Sequence, residues 1–222
     1  MAKKVFIGVG HGGSDPGAKS STFVEKDINL VMALACKREL ERHGVTVRMS
    51  RTIDENDPVS EEVKECNAFN PDIALDCHNN AGGGDGFEGF YWKGSADGLR
   101  LIQLIETEVK AIGQNSRGVK SGNHLKFVNS TKCTAVLTEG FFLDNTTDRV
   151  IADTTAKQQE FGKAYAKGIL KFFGITYKPE APVANNVDNI YRVQVGAYKV
   201  KANAEKLVKK LKADGYKAYI SE

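Results

Sequence analysis

Four side chains of this 222-residue chain have the types and the setting for metal-assisted hydrolysis: His11, Glu25, His78 and Glu139. Two neutral imidazoles and one carboxylate are donors that zinc takes, and three protein ligands with one position left open mark a catalytic rather than a structural site. His11, Glu25 and His78 can supply that set. Glu139 then remains as a free carboxylate beside the metal, suited to take a proton from water that the metal has made more acidic. Taken singly, each has an ordinary alternative, as a satisfied core histidine or as a capping or solvated glutamate. Against coincidence stands their setting, because His11, His78 and Glu139 each follow a short apolar run that reads as a buried strand.

The elements that must hold these groups can be placed from periodicity. Residues 5–17, VFIGVGHGGSDPG, read as a strand over 5–9 that closes in glycines, with His11 just past its end. In open α/β sheets that edge is where ligands gather, and Gly10, Gly12, Gly13 and Gly17 let the backbone pass close to a metal or substrate. Residues 72–77 repeat the pattern and end in His78, Asn79, Asn80 and Ala81. Residues 45–49 read as a further strand, 86–92 as an edge strand, and 125–128 and 135–138 as the last strands, the second ending at Glu139. Helices are expected over 25–42, 95–112 and 154–173, each with apolar residues on one face, and a short one over 61–69. Ser20, Ser21 or Thr22 can cap the first, and Gly44 can end it. His43 falls in its last turn, where positive charge complements the helix dipole, a structural role.

Composition fits a globular protein with 41% hydrophobic and 27% charged residues. The net charge of +3 is uneven, since residues 191–222 carry +5 and the remainder −2. Such a basic tail suits an anionic surface such as a wall polymer or nucleic acid, and equally a solvated lysine-rich helix face. Cysteines 36, 66, 77 and 133 form no CxxC pair, so they read as reduced core thiols. The start, MAKK, leads into only five mostly apolar residues, too short for a signal-peptide core, and no run approaches membrane-spanning length. Synthesis in the cytoplasm without secretory export is therefore expected.

GHGGSDPGA, then Glu25, then HNNA, then VLTEGFFLDN together resemble the zinc-dependent N-acetylmuramoyl-L-alanine amidases of the Amidase_3 type, over about residues 3–174. Val9 departs from the acidic residue that many relatives place there. The resemblance implies one zinc held by His11, Glu25 and His78, with Glu139 as the catalytic carboxylate. It also implies an α/β fold, a twisted and mainly parallel sheet with helices on both faces. The substrate would be peptidoglycan, cut between N-acetylmuramic acid and L-alanine, with no nucleic acid and no membrane as partner. Asn80 and His124 are candidate substrate contacts. Residues 113–123 are too short for an occluding helix, so no activator is expected. A lytic enzyme of this kind would reach the wall through a holin or on cell lysis, and the endolysin reading is preferred. Two other readings share the residues, a zinc carboxypeptidase acting on stem peptides and a non-catalytic wall-binding protein.

Residues 175–189 read as a linker between a catalytic domain over 1–174 and a module over 190–222. The latter, with YRVQVGAY, a helix striped by Ala204, Leu207, Val208 and Leu211, and a strand over 218–220, resembles one half of a SPOR peptidoglycan-binding repeat. A lone half leaves a gap in its sheet, which two chains could fill reciprocally to give a homodimer through their tails.

Overall fold

Strand alternation sets the architecture, because it divides the apolar residues between two faces of one sheet. The computed structural model describes residues 2–180, 195–213, 215–216 and 218–220. Among them the strands are β1 (Lys4–Val9), β2 (Thr46–Met49), β3 (Ile73–Asn80), β4 (Phe87–Tyr91), β5 (Ser116–Ser121) and β6 (Thr134–Phe142), in the order β2-β1-β3-β6-β4-β5. β2, β1, β3 and β6 run parallel, β4 lies antiparallel to β6, and β5 runs parallel to β4. The expected α/β fold with a mainly parallel sheet is what forms.

Val5, Ile7, Val9, Ile73, Leu75, Cys77 and Val136 face the main core, where α1 (Glu25–Arg42), α3 (Ala96–Ala111) and α6 (Thr155–Phe173) cover the sheet. On the other face Phe6, Ala74 and Ala135 join Cys66 of α2 (Val59–Phe69) and Phe127 of α4 (Lys126–Ser130) in a smaller cluster. Farther along that second face, toward the C-terminal ends of β1, β3 and β6, alternation brings up Gly8, Asp76, His78, Leu137 and Glu139. Apolar packing there gives way to acids and an imidazole.

Three local expectations are corrected. Residues 125–128 lie in the turn and first residues of α4 rather than in a strand, since Phe127 and Val128 bury themselves from a short helix. At that side of the sheet the edge strand is β5, which its polar sequence SRGVKS concealed, while β4 sits inside the sheet between β6 and β5. The cap position of α1 is held by Val24 with no side-chain hydrogen bond. Ser20 instead accepts from the backbone N–H groups of Thr22 and Phe23 one turn upstream. Elsewhere Ser95 and Thr154 cap α3 and α6, their side chains accepting from the backbone N–H groups of Gly98 and Lys157, and Gly44 follows α1 with φ 78°. His43 is structural, its Nδ1 2.7 Å from the Glu39 carbonyl and its Nε2 accepting from the Lys178 backbone. All four cysteines are free thiols, with Cys66 and Cys133 sulfurs 4.0 Å apart.

The chain divides into two compact units, Met1–Lys178 and Pro179–Glu222. Packing of the first continues past α6, with Ile175 and Tyr177 against the core and Tyr177 stacked on His43. In the second unit α7 (Lys201–Ala213) is the expected helix, and its Ala204, Leu207, Val208 and Leu211 are half-buried. Most of the expected linker and residues 191–194 of the YRVQVGAY strand lie outside the described residues. Val195, Gly196, Ala197 and Tyr198 carry no strand, nor do residues 218–220. Pairing of two chains through that strand finds no support among the described residues.

Candidate active site

β1 ends at Val9, and two residues later His11 adopts φ 64°, a left-handed conformation that a non-glycine residue holds only where its surroundings impose it. The turn aims His11 Nε2 at Glu25 Oε2, 3.2 Å away, while Nδ1 lies 2.9 Å from Asp15 Oδ2. Glu25 is the first residue of α1, where the helix dipole favours a carboxylate. Its side chain is 4% exposed and heavily held. The Ala18 backbone N–H donates to Oε2 at 2.8 Å, and Asn79 N–H and Asn29 Nδ2 donate to Oε1 at 3.1 and 3.3 Å. His78 Nδ1 also meets Oε1, at 3.0 Å. Asn29 is fixed in turn by the Gly10 carbonyl, to which it donates, and by Asn79, from which it accepts.

Two glycines leave room for this convergence. A Cβ on Gly10 would sit 2.1 Å from the His78 ring, and one on Gly17, which has φ 63°, would lie 2.5 Å from both Glu25 Oε2 and His11 Cδ2. The strands do the rest. His78 stands inside β3, which runs on to Asn80, and Glu139 stands inside β6, which runs on to Phe142. The two are direct partners in the β3–β6 register, so they share one face of the sheet.

His11, Glu25 and His78 each offer a ligand atom within 4.8 Å of the others. Their charge balance fits a cation. Hydrogen bonding to Glu25 raises the pKa of His11 against the opposing effect of burial. For His78 burial disfavours the charged ring, yet Asp76, Glu25 and Glu139 outweigh it and hold its pKa well above the usual value. Burial likewise opposes ionisation of Glu25, but the hydrogen bonds from His11 and His78 keep its carboxyl well below the usual carboxylate range. Two imidazole nitrogens facing one carboxylate are stable only with positive charge between them, supplied either by ring protons or by a metal ion. The donor set N, O, N is a fit for zinc.

Glu139 differs in kind. Its Oε2 is buried without a hydrogen-bond partner, and burial pushes its carboxyl up to about 7, with His78 opposing the rise and Glu25, Asp76 and Glu88 adding to it. A carboxyl poised there can both accept and return a proton near neutral pH.

The other two candidates are separated by the structure. Asn80 adjoins the site, donating from Nδ2 to Glu88 Oε2 at 3.4 Å while its Oδ1 accepts from the Ala81 N–H. His124 lies outside the ligand cluster, exposed in the turn before α4 and edge-on to Phe90 with centroids 6.3 Å apart. Sequence reasoning missed Asp15 and Asp76. Asp15 stands four residues after His11 in the same loop, a legible signal for an acid behind an imidazole. Asp76, 1% exposed, lies 3.5 Å from His78 Nε2 and fits only because Gly8 faces it. Such outer carboxylates fix ring orientation, and their loss typically lowers metal affinity about 10–100-fold. Asp15→Asn should therefore weaken zinc binding by about that factor in a competitive chelator titration. Unchanged affinity would remove Asp15 from the site.

The sequence profile described as N-acetylmuramoyl-L-alanine amidase matches residues 5–171, and one described as the SPOR domain matches residues 171–222. Over 221 residues the chain is 33% identical to N-acetylmuramoyl-L-alanine amidase CwlM of Bacillus licheniformis, spanning 98% of this chain and 84% of that one. It is 31% identical over 187 residues to the endolysin of Bacillus phage SPP1, spanning 80% and 69%. Among solved structures, an N-acetylmuramoyl-L-alanine amidase from Clostridium difficile 630 superimposes with a TM-score of 0.73 at 26% identity, covering 78% of this chain and 97% of that one.

Proposed function

Because this chain belongs to the N-acetylmuramoyl-L-alanine amidase family and hydrolyses the amide between N-acetylmuramic acid and L-alanine of peptidoglycan, we propose that it does so as a zinc enzyme. His11, Glu25 and His78 would hold the ion, and Glu139 would act as general base and then general acid. The observation that carries this reading is the convergence of the three ligand atoms next to a partnerless Glu139 on the neighbouring strand. Zinc in such a site supplies Lewis-acid polarisation of the scissile carbonyl and acidifies water.

The chain's own residues provide the remainder. Asp15 and Asp76 hold the two imidazoles in orientation, and Asn29, Asn79 and the Ala18 N–H hold Glu25. Glu139 takes the proton from the attacking water and passes it to the departing L-alanine nitrogen, so that the amine leaves neutral. The buried, partnerless Oε2 is the atom best placed to accept it.

Residues 1–178 then make the catalytic unit, and the SPOR-matching segment adds contact with the wall. Among the described residues no helix is long and apolar enough to cross a membrane. The likeness to a phage endolysin supports a lytic enzyme that reaches the wall by holin-mediated release or on lysis.

Purified sacculi test the reading. Digestion should free N-terminal L-alanine in step with loss of turbidity. Release of free D-alanine with no new L-alanine amine would show a carboxypeptidase instead, and release of neither would leave a wall-binding protein.

A further inference from the structure

A row of side chains crosses the sheet beside the proposed base. His78 on β3 pairs in register with Glu139 on β6, and Glu139 pairs with Glu88 on β4, so all three stand on one face. The row ends on β5 in an irregularity. Phe87 pairs with Ser116 but Gly89 pairs with Val119, so Glu88 alone faces the two residues Arg117 and Gly118. Gly118, at φ 85°, takes up the extra residue, a bulge of the kind that re-aims side chains near active sites.

The bulge has a definite result. In an unbroken strand Arg117 and Lys120, three residues apart, would point to opposite faces. Here both reach the same oxygen, Arg117 Nε at 2.5 Å and Lys120 Nζ at 2.6 Å from Glu88 Oε1. Burial works against ionisation of Glu88, but these two hydrogen bonds outweigh it and keep it charged. One cation is enough to neutralise one carboxylate, so the second leaves a net positive charge at the rim. Arg117 and Lys120 are 46% and 39% exposed. Arg117 meets Glu88 through Nε and lays its guanidinium over Phe142 at 5.5 Å. Among the described residues its two Nη groups donate to no acceptor, which leaves a fork suited to a carboxylate.

We propose that Arg117 and Lys120 form a subsite for a carboxylate of the stem peptide, the free α-carboxylate of the residue that follows L-alanine. This rests on the amidase reading of the site. Spacing agrees with it. Adjacent strands lie about 4.8 Å apart, so β5 is about 10 Å from Glu139 on β6, across β4. From the scissile nitrogen to that carboxylate the peptide reaches across one residue and into the next, about 7 Å at roughly 3.5 Å per residue. A long arginine or lysine side chain covers the difference.

The test uses full-length enzyme and uncross-linked glycan strands in two forms, identical except for a carboxylate or a carboxamide on the residue after L-alanine. The native enzyme should favour the carboxylate form about 10-fold in kcat/KM, chiefly through KM, the size expected for one charge-assisted hydrogen bond at a half-exposed site. Arg117→Gln should bring the ratio to about one, with the fold kept because Lys120 still neutralises Glu88. Lys120→Gln should lower the ratio in the same direction. A native ratio of one, or a ratio that survives both substitutions, overturns the subsite. A fall in melting temperature with the ratio unchanged would show that the cations only support Glu88. Failure to cleave either form, by contrast, would contradict the amidase reading itself.

Discussion

Replacing Glu139 by glutamine should lower kcat on peptidoglycan by about 10²–10⁴-fold while the protein keeps its zinc and its melting temperature. The substitution preserves size and hydrogen-bonding reach but removes the ability to take a proton. It also places a neutral amide where burial already disfavours charge, since the Glu139 carboxyl is pushed up to about 7. The fold should therefore tolerate it. Metal analysis alongside turbidity assays of sacculi would check both halves. A Glu139→Gln protein that clears walls at a near-normal rate would remove Glu139 from the mechanism.

Removing a ligand should act differently. His78→Ala should lose zinc and activity together, and His11→Ala likewise, with a drop in metal affinity larger than the ~10–100-fold attached to an outer hydrogen-bonding partner. Glu25 would keep its hydrogen bonds from Ala18, Asn79 and Asn29, so the start of α1 should stay in place. The contrast with Glu139→Gln is the informative part, because one change spares the metal and the other does not. Equilibrium dialysis against zinc would separate them. A His78→Ala protein that bound zinc as tightly as the native chain would place the metal elsewhere.

The residues proposed to do chemistry are legible because their types are few and their setting recurs. His11 and His78 each close an apolar run, and glycines flank the first, so their juxtaposition at one sheet edge follows from parallel strands alone. Glu25 was harder to read, since a carboxylate in the first turn of a helix has a sufficient local explanation in the dipole. The family resemblance places it among the ligands, and its contacts with both imidazoles agree. What the sequence hid was mostly at the polar end of the sheet. β5 lacks an apolar alternation because it is an edge strand with a bulge, and residues 125–128 look like a strand because Phe127 and Val128 are apolar whichever element buries them. Asp76 was invisible for the opposite reason, an acid in the middle of an apolar strand that makes sense only once Gly8 and His78 stand around it.

The central claim is one catalytic zinc, and its most direct test is reconstitution. Enzyme stripped with a chelator and titrated with zinc should recover the release of N-terminal L-alanine from sacculi in proportion to added metal, reaching full activity at one ion per chain. Stripped enzyme that kept full activity, or recovery only well beyond one equivalent, would contradict the account.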